Sequence, residues 1–521
     1  MRKWLPLVTV CLGTFMLLID VTIVNVALPD MATDLKTSFG SLQWVVDAYA
    51  LVLAALVLGT GSIADLVGHR RAYVAGLALF AVASLVCGLA PNSGALVAAR
   101  AVQGLGAAAM FATTFALLNS NYTGRDRGTA YGLWGATAGA SAAVGPIIGG
   151  LLTEGASWRW IFFVNLPVSV IAIALCLSVL TDTHDTVKSR VDVPGIVLFS
   201  AAAGALTYGL IEANENGWSH VGSWGWIVAA PVLLAVFVAV EVRTKAPMLD
   251  MTLMRNRVFV GILLAALVVT LAAFASFTYT SIWLQSVLGL SPIEAGLTGL
   301  PLSIASFGVS AAIGRFLHGS RPGPIIGGGM LFIGVGGLVS GSLVHGGASW
   351  PALIPGFILV GIGVGLATPT FSSAAMGAVP PQRGGMAAGA VNTARQLGFA
   401  LGIAALGSVF AARAAHVLSR HGVPSSDEVS RLLAGGQAKV LLAKAPPAFR
   451  GRLDEALHAA SVQGVQWAFL VSGTAAVLAG LAVLVMLRPV ERAATDDPTK
   501  PATSPASPDA DRDEFETATP T

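Results

Sequence analysis

Apolar runs of about 18–28 residues, each long enough to cross a bilayer as a helix, recur along the whole chain. They fall near 7–28, 42–63, 72–90, 96–118, 129–152, 160–180, 194–211 and 224–241, then near 258–285, 292–314, 324–344, 352–375, 386–411 and 465–487. The pattern predicts an all-α integral membrane protein with fourteen spans. Polar residues collect between the runs, so the few charges inside them stand out. Asp20 interrupts "MLLIDVTIVNVALP" (16–29), Asp47 interrupts "LQWVVDAYAL", and Arg100 lies within "LVAARAVQGLGAAAM". A carboxylate at the centre of a membrane helix costs roughly 2.5–3.5 kcal/mol on an insertion scale, so each of these positions calls for a reason.

The loops give an orientation. With an N-terminus in the cytoplasm, the basic residues Arg70, Arg71, Arg125, Arg127, Lys188, Arg190, Arg243, Lys245, Arg255, Arg257, Arg315, Arg321 and Arg383 fall inside. The short external loops keep only Lys36 and Arg159, while the long segment 412–464 carries seven basic residues and lies outside as an exception. An internal echo supports a duplicated architecture. "QGLGAAAMFATTFALLNSNYTGRDRG" (103–128) and "VGIGVGLATPTFSSAAMGAVPPQRG" (360–384) share a glycine-spaced helix, a short loop and an Arg-Gly opening the next helix. The expected plan is an N-terminal six-helix half (1–180), two linking helices (181–257) and a C-terminal six-helix half (258–490) containing the external loop 412–464. A disordered cytoplasmic tail (491–521), rich in Pro, Thr and Asp, follows. Parallel repeats of this kind place a binding site near the midplane, between the halves.

Composition narrows the chemistry. Of 521 residues, 55% are hydrophobic and 11% charged, against about 25% charged in a soluble domain. A net charge of +3 with no basic cluster among aromatics argues against a nucleic-acid partner. Cys11, Cys87 and Cys176 sit in apolar runs and read as packing residues. The eight histidines all lie in or beside loops, which argues against a haem, zinc or histidine proton site within the bilayer. No P-loop is present, so a gradient rather than ATP is the expected drive, with no cofactor and no metal.

The intramembrane polar residues each have two readings. Asp20 is either a structural hydrogen bonder or a buried carboxyl that loads and releases a proton as water access alternates. Its own helix offers no cation, which favours the protonatable group over a permanent ion pair, and that role requires water to reach it. Asp47 either snorkels to the outer interface or serves as a second acidic group at the external mouth. Arg100 has Phe357 at its place in the repeat, so its charge is not a shared packing need; it is expected to tune a nearby carboxyl. Gln103, Gly104 and Gly106 follow it. In "GSIADLVGHRR" (61–71), Gly61 and Gly68 permit a tight turn, Asp65 can accept from an arginine or a helix N-terminus, and Arg70 and Arg71 reach lipid headgroups or the other half. In "GASAAVGPIIGG" (139–150), Pro146 frees the carbonyl of Ala142, and Gly145, Gly149 and Gly150 allow a close crossing. Asn25, Asn392, Arg395 and Gln396 are candidate cavity walls. Phe274, Phe277, Tyr279 and Trp283 either line a drug pocket or pack.

Taken in order, these motifs identify a resemblance to the major facilitator superfamily, specifically its fourteen-spanner drug:proton antiporters, over nearly residues 5–490. The carriers are "IDVTIVNVALP" (19–29), the loop residues Gly61, Ala64, Asp65, Gly68 and Arg70, and the run Arg100, Gln103, Gly104 and Gly106. Gly145, Pro146, Gly149 and Gly150 and the connection "SWRWIFFVNLP" (157–167) complete the set. The "WVVDAY" form of the second span is most similar to actinobacterial antibiotic exporters. Leu66 and His69 depart from the loop motif, where the family has basic residues. The resemblance implies a monomeric, multi-pass transporter of the bacterial cytoplasmic membrane, with both termini cytoplasmic and membrane lipids around it. It implies exchange of an amphipathic small-molecule drug for protons, with Asp20, Asp47 and Arg100 in coupling and Gly61, Asp65, Gly68, Arg70 and Arg71 at a cytoplasmic gate. Transport of another metabolite, peptide or lipid precursor, and a non-transporting membrane sensor, are the alternative readings. No nucleophile-base pair or metal cluster suggests an enzyme.

Overall fold

A computed structural model describes residues 2–37, 39–180, 192–216, 221–244, 247–316, 321–380 and 383–487. Its long helices are α1 (Leu5–Asp34), α2 (Phe39–Val67), α3 (His69–Gly88), α4 (Ser93–Asn121), α5 (Gly124–Gly155) and α6 (Asn165–Val179). Two more, α7 (Val193–Asn216) and α8 (Val221–Glu241), lead into α9 (Arg257–Val287), α10 (Leu300–Phe316), α11 (Pro322–Leu343), α12 (Ile354–Gly377), α13 (Gly384–Arg420) and α14 (Pro447–Met486). Among the described residues there is no strand. Among the described residues thirteen helices are long and apolar enough to cross a membrane. The fourteenth, α5, is itself a continuous helix of 32 residues.

Local chemistry sets several of the helix boundaries. Asn92 caps α4 by accepting from the Ala95 N–H at 2.9 Å. Gly68 precedes α3 with φ of +99°, a left-handed conformation that makes glycine necessary at that turn. α9 is not a uniform α-helix: it widens into π turns at Thr270–Ala275 and Trp283–Val287.

The duplication anticipated from sequence is visible in the packing. In the N-terminal half α4 packs on α2 and α3; in the C-terminal half α12 packs on α10 and α11. The close crossings correspond. A Cβ on Gly76 would lie 2.8 Å from the Gly106 carbonyl, and a Cβ on Gly329 would lie 2.8 Å from the Gly363 carbonyl. The halves meet reciprocally, the second helix of each against the fifth of the other: α2 on α13 and α10 on α5. α7 and α8 pack on each other, and α7 also meets α2 and α13. The outer face of α8 shows Val228, Val232 and Val236, as a lipid-facing helix does.

Segment 412–464, whose sequence allows amphipathic helices within a long external loop, is mostly helical. α13 runs on to Arg420, short helices form at Ser426–Ala434 and Ala438–Lys444, and α14 begins at Pro447. Leu418, Leu433, Leu453 and Leu457 bury a small apolar core there, and Ser286 on α9 anchors it through the Gly436 carbonyl at 2.9 Å. The tail 491–521 lies outside the described residues.

Candidate functional site

Asp20 stands midway along α1 and is fully buried. The cation absent from its own helix comes from α4, where Arg100 Nη1 donates to Asp20 Oδ2 at 2.5 Å. The sequence favours a protonatable group over an ion pair and expects Arg100 to tune a nearby carboxyl; the structure shows Arg100 beside Asp20 and the two joined as an ion pair. Residues eighty positions apart in sequence meet because α1 and α4 cross here. Gln103 Nε2, one turn along α4, donates to Asp20 Oδ1 at 3.0 Å, and Asn165 Nδ2, at the start of α6, donates to the same oxygen at 3.1 Å. Ser84 on α3 accepts from Gln103 at 2.8 Å. Arg100 is also held by the Val45 carbonyl of α2 at 2.9 Å and by Gln103 Oε1 at 2.7 Å, with its guanidinium 4.3 Å from the centroid of the Tyr49 ring. Arg100 Nη2 finds no partner. Five helices thus converge on one ion pair, a fully desolvated network in which nearly every donor and acceptor is satisfied. Asp20 and Arg100 have no exposed surface in this conformation.

The glycines of the fifth helix serve the same neighbourhood. A Cβ on Gly145 would overlap Thr22 Oγ1, two residues beyond Asp20, so Gly145 sets the distance between α5 and α1. Gly150 faces Ile293 of the C-terminal half, and Gly149 is buried. α5 continues through Pro146, whose side chain, like that of Asn25, lies outside the described residues. Gly104 lets the Tyr49 carbonyl of α2 approach, since a Cβ there would lie 2.7 Å from it.

At the end of the bundle carrying residues 61–71, the halves are tied together. Asp65 Oδ2 accepts from the Met386 N–H at 2.9 Å, in the first turn of α13, and His69 lies 3.5 Å from the other carboxylate oxygen. This is a carboxylate on a helix N-terminus, where donors and dipole both favour it. Gly61 is buried beside it on α2. Arg70 is not part of this contact: it turns to its own half and donates to the Leu177 carbonyl of α6 at 2.7 Å. Arg70 and Arg71 border a surface notch with Val74, Ala78 and Leu177. Two contacts of the linking segment at this end also escaped the sequence reading. Arg383, ahead of α13, pairs with Asp250. The Thr252 hydroxyl and N–H, together with Arg383, hold the Asp250 carboxyl below the usual carboxylate range. Just before it, the Met248 and Leu249 N–H groups are received by Asp192 and Glu241 at 3.2 and 3.4 Å.

At the opposite end Asp34 pairs with Arg159 and accepts from Trp158 Nε1 at 3.0 Å. Arg159 first, then Trp158, hold the Asp34 carboxyl below its ordinary range. Asp47 is half-buried on α2, two residues past the Val45 carbonyl that binds Arg100.

The remaining candidates divide. Asn392 Nδ2 bonds the Phe111 carbonyl of α4 at 2.9 Å, across the junction of the halves, and Arg395 lies beside Trp134 of α5. Tyr279 and Trp283 do not line an open pocket. The Tyr279 hydroxyl donates to the Ile403 carbonyl at 2.6 Å and its ring stacks on Phe410, while Trp283 is fully buried. Aromatics at helical spacing pack here between α9 and α13. Ser84 and Asn165 were missed from sequence, and the signal available was slight: one uncharged polar residue in or at the start of an apolar run.

The Major Facilitator Superfamily model matches residues 10–403. The Multidrug resistance protein Stp of Mycobacterium tuberculosis is 37% identical over 420 residues, 80% of this chain and 78% of that one. The Tetracenomycin C resistance and export protein of Streptomyces glaucescens is 32% identical over 521 residues, 96% of this chain and 95% of that one. The crystal structure of the human organic anion transporter MFSD10 (TETRAN) superposes with a TM-score of 0.62 at 14% identity. It covers 92% of this chain and 99% of that one, a likeness of fold.

Proposed function

The chain belongs to the major facilitator superfamily, and on that premise we propose that it is a proton-coupled antiporter exporting amphipathic drugs or antibiotics across the bacterial cytoplasmic membrane, thereby conferring resistance. It works as a monomer within membrane lipid, with both termini and the Asp65 end cytoplasmic, as the basic loops favour. The relatives' printed names support the export of drugs and antibiotics. The observation that carries the mechanism is the buried Asp20–Arg100 pair, held by four further hydrogen-bonding groups and closed to water in this conformation.

Asp20 takes the proton. Protonation removes the charge that Arg100 Nη1 binds, leaving a desolvated guanidinium without its counter-ion, which destabilises the closed network and favours a state in which water enters. The carboxyl releases the proton on the other face and the pair re-forms. The reciprocal contacts α2–α13 and α5–α10 are the surfaces on which the halves rock, and the Asp65–Met386 bond closes the cytoplasmic gate in the state described. A force of about 150 mV supplies roughly 3.5 kcal/mol per proton, enough for a several-hundredfold gradient of a neutral substrate.

The test is export from everted vesicles with simultaneous proton flux. Asp20→Asn protein that reaches the membrane in normal amount is expected to lose substrate-driven proton movement. Unaltered proton-coupled export in that variant would remove Asp20 from the mechanism.

A further inference from the structure

Arg395 is a charge that the protein itself leaves unneutralised. It lies in α13, eleven residues after Gly384, about 16 Å along the axis at 1.5 Å per residue, well inside the apolar zone. Its polar contact is one long hydrogen bond, Nη1 donating to Asn392 Oδ1 at 3.5 Å, and its guanidinium carbon is 5.8 Å from the centroid of the Trp134 ring. No described carboxylate pairs with it. The contrast with Arg100, also within the bilayer, is direct: that guanidinium is sealed and has Asp20. Arg395 is part-exposed, and among the described residues four of its five N–H donors have no acceptor.

The exposed part does not face lipid. Trp134 belongs to α5 of the opposite half, and Asn392, one turn before Arg395, bonds the Phe111 carbonyl of α4. This face of α13 therefore borders the junction between the halves. Phe399, part-exposed and one turn further on, adds an apolar surface to the same helix face. A cation kept at membrane depth without a counter-ion is unfavourable unless an anion arrives to meet it.

We propose that Arg395 binds an acidic group of the exported molecule, so that the preferred cargo is an amphipathic organic anion bearing a carboxylate or an acidic phenol. This deepens the transport reading above and rests on it. The planar guanidinium fork suits either group, a carboxylate through two parallel hydrogen bonds. There is an electrical consequence. A proton entering against a monoanion leaving moves two charges in the same electrical sense, so an inside-negative potential drives both.

Binding is tested first, without any gradient, on the full-length chain purified in detergent. The probes are two xanthene dyes of opposite charge, fluorescein as the anion and rhodamine 6G as the cation, read by anisotropy. Wild-type protein is expected to bind fluorescein at least about tenfold more tightly than Arg395→Gln, the loss of charge-assisted hydrogen bonds. Arg395→Lys is expected to retain most of the affinity, and rhodamine 6G binding is expected to be unchanged or tighter in Arg395→Gln. Equal fluorescein affinity in wild type and Arg395→Gln, including none in either, overturns the proposal. So does a parallel loss of both dyes in a variant with normal melting. Displacement of the dye by equimolar chloride would assign Arg395 to an inorganic anion and overturn the organic-cargo reading. Because no proton moves in this assay, failure here leaves proton-coupled export standing, and failure of coupling in vesicles leaves charge selectivity standing.

Discussion

Replacing Asp20 by asparagine keeps its shape and removes a hydrogen-bond acceptor as well as a charge. Both carboxylate oxygens receive donors: Oδ2 from Arg100, and Oδ1 from Gln103 and Asn165. An amide offers one oxygen and one NH2, so either orientation sets N–H groups against each other. Arg100 Nη2 already lacks a partner, so the guanidinium has no alternative acceptor waiting. Removing one member of a buried ion pair costs about 3–5 kcal/mol, because the other charge stays desolvated and unpaired. Arg100→Leu leaves Asp20 with two neutral donors and is expected to cost less than Asp20→Asn. The double variant Asp20→Leu/Arg100→Leu removes both charges and is expected to cost at least about 1.5 kcal/mol less than the sum of Asp20→Leu and Arg100→Leu. The assay is equilibrium unfolding of detergent-purified full-length protein, followed by circular dichroism, for wild type, the two single leucine variants and the double. Additive costs would refute the reasoning, since they would mean that the two charges do not depend on each other. The magnitude also matters to the proposed transport cycle. About 3–5 kcal/mol is comparable to the roughly 3.5 kcal/mol carried by one proton across 150 mV, the scale on which a single protonation would unlatch the pair under that proposal.

Gly145→Ala places a methyl group on Thr22 Oγ1 and is expected to cost about 1–3 kcal/mol by overpacking; adding Thr22→Ala recovers part of the lost melting temperature, and no recovery would place the clash elsewhere. Gly68→Ala forces a side chain onto φ of +99° and is expected to cost about 1–3 kcal/mol, read as a lower unfolding midpoint with α3 otherwise unchanged. The Asp250 carboxyl is held below its usual value by Thr252 and Arg383, so its contribution is complete above the unfolded value of 3.8 and is lost only as pH falls through the lower folded value. Asp250→Asn is therefore expected to loosen the start of α13, beside Arg383, equally at about pH 5.5 and 8, measured by labelling a cysteine placed at Met386; a difference that grows across that window would show another group titrating.

The spans were legible because apolar length is a strong, local signal, and α5 was read from it like the rest. Asp20 and Arg100 were legible singly, each as a charge in the wrong solvent. Their meeting was not, because it depends on how α1 and α4 cross. Asp65 was read as an acceptor for a helix N-terminus or an arginine, and the structure shows the former; Arg70 carries the same sequence signal but turns to Leu177. Tyr279 and Trp283 mark the limit of aromatic spacing, which looks the same for a lined pocket and a packed seam. Segment 426–434, "SDEVSRLLA", is amphipathic, and its apolar side lies on a core made by helix ends that sequence alone leaves open.

Met386, Asn392 and Arg395 all belong to the first three turns of one uninterrupted helix. Their links to Asp65, Phe111 and Trp134 reach three different helices of the opposite half. Over so short a length α13 is a stiff rod, so none of the three links can shift far while the others stay. A tug at the guanidinium is transmitted to the bolt on Asp65, and drawing that bolt carries the guanidinium away from its tryptophan.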